Sequence, residues 1–320
     1  FVAMNEIDSI IGNKEKLESK TYKEIKESNN RINKVGDIFE HGQAISPIIK
    51  KVENRIRGFV QIQNGCDHRC TFCIIPYGRG DSRSVEPENV VNQINTLLDQ
   101  GYKEIVLTGV DLTSYGHDLE NKPNLATLVS HILFSIPNLK RLRLSSLDVA
   151  EIDKNLMDLI KYEKRILPHI HLSLQAGDNM ILKRMKRRHL RDDAISVINE
   201  IRSVRSEVVF GADIIAGFPT ENDEMFQNTV DLIEDCNITF LHIFPFSPRE
   251  GTPAARMPQV DRYIIKKRAK ILREIGKKKL LEYYDGLKNK KINVIVEDKG
   301  RGRSDTVSYT HLTLPTKQDV

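Results

Sequence analysis

The chain has no tryptophan, 6% aromatic residues and four cysteines in 320 residues. So few cysteines cannot staple a chain of this length, which excludes a disulfide scaffold. No apolar run approaches the ~20 residues needed to span a bilayer, and no basic-then-apolar leader stands at the start. Mean hydropathy is -0.39. No membrane partner is therefore expected, and the expected compartment is cytoplasmic. Charge of one sign is barely in excess, with 49 Lys and Arg against 44 Asp and Glu, so whole-chain charge selects no partner. What is present suffices for a core: 39% hydrophobic and 29% charged residues, over a length that suits about two domains.

The first 30 residues are thin in apolar side chains, apart from Ile7, Ile10 and Ile11, and could not bury a core alone. Further on, β-branched runs recur at Phe59–Gln63, Glu104–Thr108, Leu139–Ser145, His169–Leu174, Val208–Ile215 and Phe240–Phe244. Helical patterns fill the gaps at Pro87–Gln100, Leu125–Ser135, Ile152–Lys161, Arg191–Val204 and Asn222–Cys236. This alternation argues for βαβ units around a parallel sheet, in an α/β fold. Six units fit a partial (β/α)6 barrel, with a doubly wound sheet as the alternative.

Three of the four cysteines, Cys66, Cys70 and Cys73, fall within eight residues just after the first strand. Thiolates at this spacing can converge on one centre, and soft sulfur ligands select zinc or iron–sulfur. Three cysteines would leave one corner of a cubane cluster open. A structural zinc site needs a fourth ligand; His68 is the candidate, but between two cysteines it would be hard to turn inward. Cys236, far along the chain, reads as ordinary core.

The C-x3-C-x2-C spacing, with Phe72 before the last cysteine, resembles the signature of radical S-adenosylmethionine enzymes. The chain from about residue 1 to 297 is similar to the methylthiotransferase branch of that family. The carriers are Gly65–Gly80 (GCDHRCTFCIIPYGRG), Leu107–Gly116 (LTGVDLTSYG), His171–Arg187 (HLSLQAGDNMILKRMKR), Asp213–Pro219 (DIIAGFP) and Phe244–Pro253 (FPFSPREGTP). Tyr77–Gly80, Ser82–Ser84 and Met185–His189 look most like the subgroup that acts on N6-threonylcarbamoyladenosine in tRNA. Other subgroups act on isopentenyladenosine in tRNA or on a ribosomal-protein aspartate. A zinc-stabilised RNA-binding protein without catalysis is the non-enzymatic alternative.

The resemblance implies a 4Fe–4S cluster held by Cys66, Cys70 and Cys73, with S-adenosylmethionine on its open iron. The electron comes from a reducing donor, and the target is C2 of the modified adenosine at position 37 in the tRNA anticodon stem-loop. Complete relatives carry a second 4Fe–4S cluster on three N-terminal cysteines, yet no cysteine precedes Cys66. This chain is therefore expected to cleave S-adenosylmethionine without forming methylthio product. The implied organisation is 1–35, remnant of an N-terminal α/β domain; 36–57, linker; and 58–283, barrel core. Residues 284–303 would start a C-terminal TRAM β-barrel, and 304–320 would be a non-native tail, since Val307–Lys317 resembles adaptor read-through.

In such a barrel the active face lies at the carboxyl ends of the strands. Phe72, Gly109, Asp111, Ser145, Gln175 and Gly217 fall there and are the candidate cofactor contacts. Arg79, Arg83, Arg187 and Arg188 are candidate phosphate contacts. Residues 261–291 hold 12 Lys or Arg against 4 Asp or Glu, a local net of +8 (12 − 4), including Lys277 and Lys278. That asymmetry is the clearest nucleic-acid signal in the chain.

Overall fold

The computed structural model describes residues 1–28, 30–39, 55–298 and 300–311. Most of the expected linker (40–54) and the end of the expected tail (312–320) lie outside the described residues. At the N-terminus β1 (Ser9–Ile11), α1 (Ser19–Glu27) and β2 (Ile32–Lys34) form a small parallel βαβ crossover.

The main body then alternates as its hydrophobic pattern dictates. β3 (Arg57–Gln61) and the short β4 (Gln63–Asn64) precede α2 (Ile75–Arg79), β5 (Arg83–Ser84) and α3 (Pro87–Asp99). β6 (Glu104–Thr108), α4 (Leu125–Ser135), β7 (Leu142–Leu144), β8 (Ser146–Leu147) and α5 (Lys154–Tyr162) follow. Next come β9 (His169–Gln175), α6 (Asn179–Met185), α7 (Arg191–Val204), β10 (Val209–Ala216), α8 (Asp223–Asp235) and β11 (Phe240–Pro245). Short polar residues start the helices where the sequence places them. Asn124, Asp153, Asp178 and Asn222 each accept a hydrogen bond from the backbone three residues on, satisfying an otherwise orphaned N–H.

The parallel strands run β3-β6-β7 and then β8-β9-β10-β11. The expected third strand, Leu139–Ser145, breaks at its end. Ser145 donates its N–H to Leu107 on β6, whereas Ser146 pairs with His171 on β9. The chain thus steps from one sheet to the next, and hydrogen bonds between Leu142 and the Arg165–Leu167 segment bridge the step. The result is the partial (β/α)6 barrel the alternation predicted. β9 shows the layering in its pattern: Ile170, Leu172 and Leu174 are buried in the core under the helices, while His169, His171, Ser173 and Gln175 alternate on the other face.

One buried charge cluster closes the amino-terminal end of the sheet. Glu104, fully buried, accepts from Arg141 at 2.9 Å and from Arg143 at 2.8 Å. Glu104→Gln is expected to cost about 3–5 kcal/mol, because among the described residues it leaves the buried Arg143 without a carboxylate partner and Arg141 with Asp305 alone. Urea unfolding would show it; a loss below about 1 kcal/mol would mean the pair is screened by solvent.

The last helix, α9 (Arg262–Leu287), packs Ile265, Ala269 and Leu272 against β10 and β11 and runs past the expected core boundary at 283. β12 (Val294–Asp298), β13 (Arg301–Ser304) and β14 (Tyr309–His311) form an antiparallel sheet where a TRAM barrel was expected to start. Among the described residues those three strands do not close on themselves. Residues 304–311, placed by sequence in the tail, carry the turn and third strand of this sheet. Asp305 reaches Arg141, and its carbonyl accepts from Arg143.

Candidate functional site

The cysteine loop is clamped at both ends. Gly65 takes φ +78°, where a Cβ would meet the Asp81 carbonyl oxygen at 1.9 Å, so only glycine lets the outgoing chain pass. The Cys66 N–H bonds the Gly80 carbonyl at 3.1 Å. In the middle, Thr71 donates its N–H to Met185 and its hydroxyl to Arg184, both on α6, and accepts from the Ala254 N–H. Gln63, fully buried, joins this loop to the next. Its Nε2 donates to the Gly65 carbonyl at 2.8 Å and to Ser82 Oγ at 2.9 Å, while its Oε1 accepts from the Asp111 N–H at 2.9 Å.

The three thiols, each half-buried, line a single cavity of about 170 Å³. Phe72, Asp111 and Gln175, three of the candidate cofactor contacts, line it too. Phe72 also meets the Phe218 ring edge-to-face at 6.4 Å. Cys236 lies elsewhere, buried at the end of α8.

Three other predicted contacts are corrected. Gly217 does not line the cavity; its positive φ and missing Cβ serve close packing on Ile265 of α9. Gly109 sits beside Gln63, where a Cβ would meet Oε1 at 2.9 Å, so it shapes the loop. Ser145 Oγ is buried without a partner among the described residues, and Ser146 and Ser173 line the cavity in its place, their hydroxyls 2.8 Å apart.

The cavity wall also carries a charged cluster, in which Glu151 and Ser114 were not singled out by the sequence. His68 does turn inward, against expectation: its Nε2 lies 2.8 Å from Asp111 Oδ2 and 3.6 Å from Glu151 Oε1. Asp111, then Glu151, holds its imidazolium up to about 10. Ser114 donates to the same Asp111 oxygen at 2.7 Å, and Cys66 Sγ approaches it at 3.7 Å. Burial, then the Asp111 charge, pushes the Cys66 thiol up to about 12; burial also raises Cys73. Thiols in this setting stay protonated until a cation displaces the proton.

Arg187 is the largest correction. Predicted at a nucleic-acid surface, it is 7% exposed and lines the cavity. It donates to Asp148 Oδ2 and to the Ser173 carbonyl, both at 2.8 Å, and its Nη1 lies 3.9 Å from Cys70 Sγ. A position in a run of basic residues gave no sign of this. Arg188, next to it, remains 45% exposed and pairs with Glu151 at 2.6 Å. Beside the cavity an open groove of about 760 Å³ is lined by Arg69, Lys183, Lys186 and Arg188, and Arg187 stands between the two, touching both. Arg79 and Arg83 are half-buried, with Arg83 donating to the Arg79 carbonyl, and neither lines that groove. Lys277 and Lys278 are exposed on α9.

Residues 60–233 match the sequence profile of the Radical SAM superfamily. A threonylcarbamoyladenosine tRNA methylthiotransferase of Rickettsia prowazekii is 48% identical over 99% of this chain and 73% of its own length. The protein of that name from Aquifex aeolicus is 39% identical over 93% and 72%. A tRNA-2-methylthio-N(6)-dimethylallyladenosine synthase of Neorickettsia sennetsu is 37% identical, over 77% and 54%. Two solved structures share the fold at TM-score 0.50. One is the radical S-adenosylmethionine methyltransferase TsrM of Kitasatospora setae with tryptophan and a SAM analogue bound, 18% identical over 63% of this chain and 38% of that one. The other is Streptococcus suis SuiB bound to S-adenosylmethionine, 15% identical over 70% and 48%.

Proposed function

The chain belongs to the radical S-adenosylmethionine methylthiotransferase family, and from that premise we propose that its reaction is aimed at C2 of N6-threonylcarbamoyladenosine at position 37 of tRNA, with this chain supplying the hydrogen abstraction that precedes methylthiolation there. The observation that carries the proposal is the convergence of three half-buried thiols on one cavity beside a basic groove. Three relatives that carry the threonylcarbamoyladenosine name match 93–99% of the chain at 33–48% identity, against 77–88% at 33–37% for those named for the dimethylallyl substrate, which favours the first.

The donor set fits a cluster with one open iron. Cys66, Cys70 and Cys73 would hold it. His68, the ligand that would close a zinc tetrahedron, is instead held on Asp111. When bound, the cluster and S-adenosylmethionine supply one-electron cleavage of the sulfonium and a hydrogen-abstracting carbon radical.

The protein's own part is position and exclusion of water. Gln63 fixes the spacing between the cysteine loop and Asp111. Ser146, Ser173 and Gln175 offer hydroxyl and amide groups to the polar end of a ligand. Arg187 holds the Ser173 carbonyl and places a cation near Cys70. Lys183, Lys186 and Arg188 would neutralise phosphates of the anticodon stem-loop, with Lys277 and Lys278 adding charge from α9. A target base splayed from that single-stranded loop would reach the cavity without melting a duplex.

The test uses anaerobically reconstituted, reduced chain with stem-loops carrying threonylcarbamoyladenosine or isopentenyladenosine, each deuterated at C2. Deuterium is expected in the released 5′-deoxyadenosine with the first stem-loop only. Transfer from the isopentenyl substrate, or from neither while cleavage proceeds, would overturn the substrate assignment.

A further inference from the structure

Three adjacent parallel strands below the cysteine cavity each direct one ligand-type side chain to a common point. His171 stands on β9, Asp213 on β10 and His242 on β11. His171 Nε2 lies 3.0 Å and His242 Nδ1 3.2 Å from the same oxygen, Asp213 Oδ1. All three donor atoms fall within 4.8 Å of one another.

Backbone register enforces the arrangement. Asp213 is directly opposite His242 across β10 and β11. His171 is opposite Gly211, and alternation along β10 puts Asp213, two residues on, on that same face. Gly211 is needed for it, since a Cβ there would meet His171 Nδ1 at 2.5 Å. The imidazole therefore lies flat against bare backbone with its Nε2 aimed at Asp213. His171 is 12% exposed and Asp213 25%, whereas His242 is 61% exposed and leaves one side of the trio open.

We propose that His171, Asp213 and His242 form a binding site for a divalent transition cation of the zinc or ferrous type, separate from the cysteine cavity. Two imidazole nitrogens and a carboxylate oxygen are the borderline donor set such ions take, and it contrasts with the soft thiolates above it. Bonds of ~2.0–2.2 Å to one tetrahedral ion place neighbouring donors about 3.4 Å apart, so the 3.0 and 3.2 Å separations need only small adjustment. Three protein ligands leave at least one position for water or a further oxygen ligand, and exposed His242 marks where it enters. His171 precedes Ser173, a cavity residue, by two positions on the same face. That places the site about 7 Å along the strand from the cavity wall.

The experiment takes the full chain with its iron–sulfur content reconstituted, equilibrates it with zinc chloride and removes unbound metal. Zinc is counted per chain and its ligand shell read by X-ray absorption at the zinc edge. The expected result is about one zinc with nitrogen and oxygen neighbours only, near 2.0–2.1 Å. Asp213→Asn and His242→Ala should each weaken zinc binding by more than the ~10–100-fold that losing a supporting residue costs, with iron content unchanged. His242, on the open side, is the variant whose folding is least at risk. No zinc retained by the folded wild type, zinc with sulfur neighbours, or zinc undiminished in both variants would overturn the proposal.

Discussion

Alanine at Cys66, Cys70 or Cys73 is expected to take bound iron from about four per chain to less than one. Reductive cleavage of S-adenosylmethionine should fall by more than ~100-fold with it, beyond what a supporting residue costs. The three thiols line one small cavity, and among the described residues the only other cysteine is buried at the end of α8, so no sulfur can substitute. Burial favours the protonated form of the Cys66 and Cys73 thiols, so the ligands that remain would have to release protons for a much weaker site. Cys236→Ala is the control and should leave iron unchanged. Iron and sulfide assays after anaerobic reconstitution decide the matter. A single variant that kept its iron would remove that cysteine from the ligand set.

Arg187→Met should destabilise the fold by about 3–5 kcal/mol, because it strands the buried Asp148 carboxylate opposite an apolar side chain. Both partners are nearly closed to solvent, at 7% and 6% exposure. His189 Nδ1 at 3.7 Å and Arg188 Nη2 at 4.0 Å are too far to take over the bond, which among the described residues leaves the carboxylate with the Ala150 N–H alone. A surface phosphate contact behaves in the opposite way. Its loss leaves stability within about 0.5 kcal/mol and lowers the salt dependence of tRNA binding by close to one counterion. Arg188→Met, at a side chain 45% exposed, should follow that second pattern. Urea unfolding and a salt titration of stem-loop binding separate the two. An Arg187 variant of native stability with a shallower salt slope would return that residue to the RNA surface.

Much of the barrel was legible because its strands are β-branched runs spaced by amphipathic helices, and period alone fixes both. The split of the third strand at Ser145 was not, since it depends on which neighbour captures each N–H. α6 left no periodic signal because it has only seven residues, under two full turns. The cysteines could be placed by spacing, and Phe72, Asp111 and Gln175 by their position after strands. Gly109 and Gly217 carried the right signal, close approach, with the wrong partner: the neighbours are Gln63 and Ile265 rather than a ligand. His68 and Arg187 were misjudged because burial of a charged loop residue is decided by carboxylates far away in sequence, here Asp111, Glu151 and Asp148. No local pattern encodes those meetings.

The most direct measurement is electron paramagnetic resonance of the anaerobically reconstituted, reduced chain, with and without S-adenosylmethionine, alongside iron counting. The account predicts about four irons per chain and a cubane signal whose shape changes when S-adenosylmethionine is added. Zinc in the cysteine cavity, or an iron signal indifferent to S-adenosylmethionine, would contradict it.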